Sequence, residues 1–212
     1  MQEVPHKRHL NDFFTGKIAD SVSPGELYNE DPIPGDARFC ATTASMCGIE
    51  SAGFEQNEEK KKRAVRFDLM LHAYMMVQSG IPMLYSGDEI GQVNDYTYKN
   101  DPEKQVDSRY IHRGKFDWKL ADGRKRKGTV QKELFDGIGK LRSIRSKEKV
   151  FDASANVWTL DTWENGILGV VREMEGEQMT ALFNFAEESR TAWIEEEGEY
   201  MDLYTGKKVS LQ

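Results

Sequence analysis

The groups best suited to chemistry crowd into one stretch, residues 80–118, GIPMLYSGDEIGQVNDYTYKNDPEKQVDSRYIHRGKFDW. Asp88 and Glu89 are adjacent carboxylates, Asp107 and Arg109 flank a serine, and Tyr85, Tyr96, Tyr98 and Trp118 supply aromatic faces. A guanidinium offers a planar fork to a carboxylate or to vicinal hydroxyls. An amphipathic aromatic ring suits the apolar face of a pyranose, so the aromatic cluster is suggestive of sugar stacking. Asp88 and Glu89 do not read as an acid/base pair. Adjacent strand residues point to opposite faces, whereas glycoside cleavage needs two carboxylates converging at about 5–9.5 Å. His6, His9, His72 and His112 are scattered, so no metal site and no cofactor is expected. Cys40 and Cys47, placed on one expected helix, would stand ~10 Å apart. That is beyond disulfide reach, and buried free thiols are expected.

The elements that must position these groups follow from periodicity. Residues 81–85 read as a short apolar strand running into Ser-Gly-Asp-Glu and a long polar loop. A buried strand whose carboxyl end delivers charge into a loop is how α/β barrels build sites at one rim. A helix is predicted over 59–79 from Phe67, Met70, Leu71, Tyr74 and Val77, with Gly80 as its stop. A second is predicted over 129–146 from Val130, Leu134, Ile138, Leu141 and Ile144. Thr129 is its N-cap, and Arg142, Arg145 and Lys147 suit its C-terminal dipole. Residues 1–34 show turn signals at 23–25 and 31–35, with a short helix over 9–15. A second short helix is expected between 35 and 49, then a polar linker over 51–59. After Lys149 the period becomes that of strands, at 156–160, 166–173, 178–186, 189–194, 200–204 and 207–211. Trp158, Trp163 and Trp193 in that region are read as core packing rather than as a surface sugar site.

Composition narrows the function classes. The formal net charge of -7 argues against a nucleic-acid or anionic-membrane surface, since both need clustered positive charge. The basic runs at 60–63 and 124–127 read as solvated helix flanks. No apolar run approaches the ~20 residues of a membrane span, and no signal-peptide core opens the chain. The expectation is a cytoplasmic protein with no nucleic-acid and no membrane partner.

Six short motifs then fall in order: His9-Leu10-Asn11-Asp12-Phe13-Phe14, Gly25-Glu26-Leu27-Tyr28, Gly35-Asp36-Ala37-Arg38, Gly87-Asp88-Glu89, Asn94-Asp95 and Asp107-Ser108-Arg109, the last followed by Tyr110 and His112-Arg113. Together they resemble the α-amylase family of glycoside hydrolases, with closest likeness to amylosucrase-type enzymes. The resemblance implies an α+β chain in two parts. Residues 1–149 would be the C-terminal portion of a catalytic (β/α)₈ barrel, including a subdomain from its seventh loop. Residues 150–212 would be an antiparallel β-sandwich like the family's domain C. A whole barrel takes ~250 residues, so the chain is expected to be a C-terminal fragment.

The resemblance also implies site roles, and makes Asp88 and Glu89 structural, satisfying loop amides and arginines at the barrel rim. Asp107 and Arg109 would lie at the floor or mouth of a glucosyl pocket, with the arginine pairing an acidic residue from an earlier loop. The other reading is an ordinary loop ion pair. Arg38 would line the acceptor side, against the alternative of a helix-terminus ion pair with Asp36. Pro24 departs from the pattern, because amylosucrases tend to place another acceptor-side arginine there. The family's reactive carboxylates come from the fourth, fifth and seventh strands, the last within an Asn/Ser-His-Asp motif that is absent here. No catalytic residue is therefore assigned, and the chain alone is expected to be inactive. Three functions stay open: part of an enzyme transferring glucosyl from sucrose, part of an α-glucan hydrolase, or a non-catalytic carbohydrate-binding or assembly module. The expected partners are an α-glucan or sucrose-type sugar and a second copy, joined through exposed barrel surfaces.

Overall fold

The structure, a computed structural model, describes residues 3–31 and 36–211. The turn signal expected at 31–35, and Gly35 of the Gly-Asp-Ala-Arg motif, fall largely outside the described residues. The fold is α+β, with helices and small antiparallel sheets. It divides into two compact units, Met1–Leu69 with Leu84–Asp136, and Met70–Met83 with Gly137–Gln212.

The first unit opens with helix α1 (Glu3–Phe14), longer than the 9–15 predicted. Strand β1 (Glu26–Tyr28) pairs antiparallel with β2 (Arg38–Cys40), setting Leu27 opposite Phe39 and Tyr28 opposite Arg38. Phe14 at the end of α1 stacks on Phe39, with ring centroids 4.5 Å apart. Gly25 is required where β1 begins, because a Cβ there would stand 2.5 Å from the Phe14 carbonyl oxygen. Buried Asn11 donates from Nδ2 to the Ala37 carbonyl at 2.9 Å. The helix expected between 35 and 49 is therefore split. Arg38–Cys40 finds a partner strand and becomes β2, and only α2 (Thr43–Met46) is helical, N-capped by Thr42 Oγ1.

Part of the expected linker over 51–59 is helical: 51–54 lie in α3 (Ile49–Phe54), and 58–59 open the next helix. Helix α4 (Glu58–Val77) starts where Asn57 Oδ1 accepts from Lys60 N–H at 3.0 Å, with Glu58 and Glu59 in its first turn. Its first half packs Ala64 and Val65 with Ala44, Ile49 and Leu134. Three 3₁₀ turns follow at Asp88–Ile90, Tyr96–Asn100 and Ser108–His112. Then come α5 (Trp118–Ala121) and the start of α6 (Val130–Lys147). Thr129 Oγ1 accepts from Lys132 N–H, the predicted cap. Gly91, at φ +62°, is needed because a Cβ there would meet Leu134 Cδ1 at 2.7 Å.

The expected strand at 81–85 is not one. It forms no ladder among the described residues, and Ile81 and Met83 are 87% and 77% exposed. A strand exists only where a neighbour takes its amides and carbonyls, and none does here.

In the second unit, β3 (Asn156–Leu160), β4 (Ile167–Met174) and β5 (Glu177–Asn184) form an antiparallel sheet in that order. Glu175 and Gly176, both at positive φ, make the tight β4–β5 turn. A separate ladder joins β6 (Gly198–Met201) to β7 (Lys208–Leu211). Val170 and Phe183 pack on Val77, Tyr74 and Met70 at the end of α4, with Phe151 and Val157 alongside. Behind them Arg172, 1% exposed, donates to the Val150, Val77 and Asp152 carbonyls at 2.6, 3.0 and 3.1 Å.

Two expectations fail in this unit. Residues 189–194 form no strand, and Trp193 N–H makes a lone backbone bond to the Thr162 carbonyl. The tryptophans are not core either: Trp158, Trp163 and Trp193 are 43%, 71% and 68% exposed. Trp158 alternates with Val157 and Thr159, which share the row of Val170, so it falls on the sheet's other face.

Candidate functional site

The described residues of the six motifs lie in the first unit, and those of Asp107-Ser108-Arg109 meet the β1–β2 ladder. Asp107 caps the 3₁₀ turn Ser108–His112, its Oδ1 accepting from Arg109 N–H at 3.0 Å. The same carboxylate is gripped by the Arg109 side chain, Nε to Oδ1 at 2.9 Å and Nη2 to Oδ2 at 2.7 Å. This fork holds the Asp107 carboxyl down at about 2 and pushes the Arg109 guanidinium further up. Between them, Ser108 donates from Oγ to the Leu27 carbonyl at 2.7 Å and pins the tripeptide to β1. The Arg109 guanidinium then lies 4.4 Å from the Tyr28 ring centroid. Tyr28 is the register partner of Arg38, and side chains directly opposite across a ladder share a face.

Of the three predicted residues, Arg109 and Arg38 thus flank Tyr28, and Asp107 holds Arg109 in place. Arg38 is exposed on a strand, and Asp36 pairs with Lys7 at 3.5 Å, so the helix-terminus alternative for Arg38 lacks its helix. The acidic partner of Arg109 in this structure is Asp107 itself. Nη1 has no hydrogen-bond partner among the described residues, so the fork keeps donors for a hydroxylated ligand.

The other motif residues hold the loops of the first unit. Asp88 Oδ2 accepts from Tyr85 N–H, and Glu89 Oε2 from Gly87 N–H, both at 3.0 Å. Both carboxylates serve loop amides, the role the resemblance implied. Buried Asn94 ties three segments together. Its Oδ1 accepts from Thr42 N–H, its Nδ2 donates to the Pro24 carbonyl, and its own N–H reaches Ser45 Oγ. Burial pushes the Cys40 thiol up, and burial with the Arg113 charge pushes His112 down. His112 Nδ1 is buried without a partner among the described residues. The predicted aromatic cluster disperses. Tyr85 meets His112 edge-on, Tyr96 donates to Glu50, Tyr98 is buried and donates to Glu26, and Trp118 meets Phe116.

Sequence reasoning missed the charged pair beside this ladder. Lys99 Nζ stands 2.5 Å from Glu26 Oε1, while Glu26 Oε2 accepts from Tyr98. They edge an open cleft of about 660 Å³ that Tyr28 and Ser108 also line. Glu26 lay in a recognised motif, but no sequence spacing announces a partner so distant along the chain.

Among the described residues, no group of three His, Cys, Asp or Glu side chains is placed to hold a metal ion. Among the described residues, no helix is long and apolar enough to cross a membrane. No protein-family model matches the chain.

Proposed function

We propose that this chain is the C-terminal portion of an α-amylase family enzyme acting on α-glucans or sucrose-type sugars, amylosucrase-like in its pocket, with the reactive acids supplied from outside it. In this reading residues 1–149 belong to the end of the (β/α)₈ barrel and its loop-7 subdomain. Residues 150–212 are the domain C-like sandwich. Asp107 orients Arg109, Arg109 and Arg38 present donors on either side of Tyr28, and a glucosyl ring is held by those donors. The observation that carries the reading is the meeting of Arg38 and the Asp107-held Arg109 at one half-buried aromatic, Tyr28, from motifs up to 71 positions apart. Chemically, a forked donor against an aromatic plane suits a hydroxylated ring.

Asp88 and Glu89 are each committed to loop amides, which supports leaving catalysis to other sequence. The exposed Ile81 and Met83 support self-association of the chain by itself, since apolar side chains at such exposure favour burial. Two buried free thiols fit the reducing cytoplasm. The test is sugar release from sucrose and maltooligosaccharides by the purified chain. No release above background is expected. Turnover abolished by Asp88→Asn or Glu89→Gln would place the reactive acids here and sink the reading.

A further inference from the structure

The cleft beside β1 has a charge arrangement that selects its ligand. Its charged lining groups are one carboxylate and one ammonium, Glu26 and Lys99, joined at 2.5 Å. Both Glu26 oxygens are engaged, one by Lys99 and one by the Tyr98 hydroxyl, yet each oxygen retains accepting capacity. Lys99 spends one of its three N–H donors on Glu26. Ser108 gives its proton to the Leu27 carbonyl, which leaves its oxygen as an acceptor. Gln105 adds an amide that both donates and accepts. The cleft therefore offers donors and acceptors side by side with no uncompensated charge. An anion would meet Glu26 and a cation would meet Lys99, whereas a hydroxyl, donor and acceptor at once, satisfies both. The volume of about 660 Å³ lies within the range usual for small-molecule sites.

We propose that this cleft binds a neutral, polyhydroxylated ligand, a short saccharide, with Glu26 and Lys99 as a paired specificity device that excludes charged sugars. The choice of a saccharide among polyols rests on the pocket-rim reading above, while the neutral hydroxylated class rests on the cleft alone. Breaking the pair should change what enters. Glu26→Gln keeps an acceptor but leaves Lys99 uncompensated, so the cleft becomes cationic. Lys99→Met removes the donors and leaves the carboxylate.

The experiment titrates ¹⁵N-labelled protein with methyl α-glucoside, glucose 6-phosphate and glucosamine, following backbone amides. Methyl α-glucoside should move the signals of Glu26, Lys99, Gln105 and Ser108, and both charged sugars should bind at least about tenfold more weakly. Lys99→Met should weaken the neutral ligand by about tenfold, the loss of one or two hydrogen bonds. Glu26→Gln should reverse the preference toward glucose 6-phosphate. Each variant's dispersed spectrum reports whether it is folded, and either variant alone carries the test. A wild-type preference for a charged sugar, or indifference of the neutral ligand to Lys99→Met, overturns the proposal. Shifts confined to Arg38 and Arg109 overturn it too, and leave the pocket-rim reading standing. Shifts confined to the cleft and insensitive to Arg109→Lys support it while removing that reading.

Discussion

Replacing Arg172 by methionine should unfold the second unit at temperatures where the wild type is stable. Arg172 is a cation with 1% exposure whose hydrogen-bond acceptors are three backbone carbonyls, of Val150, Val77 and Asp152. Its neighbour Arg145 donates to the Met76, Gln78 and Gly80 carbonyls, and the two guanidinium carbons lie 5.3 and 5.4 Å from the Phe151 ring. The carbonyls at the end of α4 carry the negative end of the helix dipole, which compensates the buried charge. Methionine fills similar volume but leaves the buried Val77 and Val150 carbonyls without donors, while the Asp152 carbonyl keeps only Ala155 N–H. Each hydrogen bond to a charged group is worth about 1.5–3 kcal/mol, and removing the charge returns part of its desolvation cost. The net loss is about 3–5 kcal/mol, against a total stability of about 5–15 kcal/mol for a domain. In a unit of this size that lowers Tm by on the order of 20 °C. Arg172→Lys keeps the charge but not the fork, and should recover less than half of the loss. Circular dichroism during heating and urea titration reads both variants. If Arg172→Met lies within ~0.5 kcal/mol of wild type, the usual range for a surface change, the three-carbonyl clamp does not hold the unit together.

Other outcomes are equally specific. The Asp107 carboxyl should titrate by NMR with a midpoint of about 2. Because its folded pKa lies below the unfolded value, its contribution is present above about pH 4 and is lost as pH falls toward 2; a midpoint at the ordinary carboxylate value would show the Arg109 fork to be open in solution. Cys40 and Cys47 are both buried, and burial, the leading cause at each, with nearby Asp68 and Asp88 adding at Cys47, pushes both thiols up. A thiol reagent should therefore label neither until denaturant is added, and rapid native labelling would contradict that. All four tryptophans, Trp118, Trp158, Trp163 and Trp193, stand exposed. Acrylamide should quench nearly all native fluorescence, and a large protected fraction would mean that some of these rings are covered in solution.

The long helices were legible because each carries its signals locally. Thr129 caps α6, the acidic pair Glu58 and Glu59 opens α4, and Gly80, at φ +93°, follows it. The strands β3, β4 and β5 were legible through alternation and the Glu175-Gly176 turn. What failed depended on distant partners. Arg38–Cys40 is a strand because β1 lies beside it, and 81–85 is not one because nothing does. Trp158 reads as core by type, yet it is exposed although Val171, opposite it on the same face, is fully buried, so neither residue type nor face announces its exposure. At the site, Asp107 and Arg109 are two residues apart and could be paired by eye, whereas Glu26 and Lys99 meet only through the fold.

The central claim is that a sugar is held where Arg109 covers Tyr28. Its most direct test is maltotriose affinity for the wild type and for Arg109→Lys, by NMR titration read at the Tyr28, Arg38 and Arg109 amides. Lysine loses the planar fork and its stacking on Tyr28, so affinity should fall by about tenfold with the fold intact. Equal affinity in the two proteins, or shifts that bypass those three residues, would contradict the account.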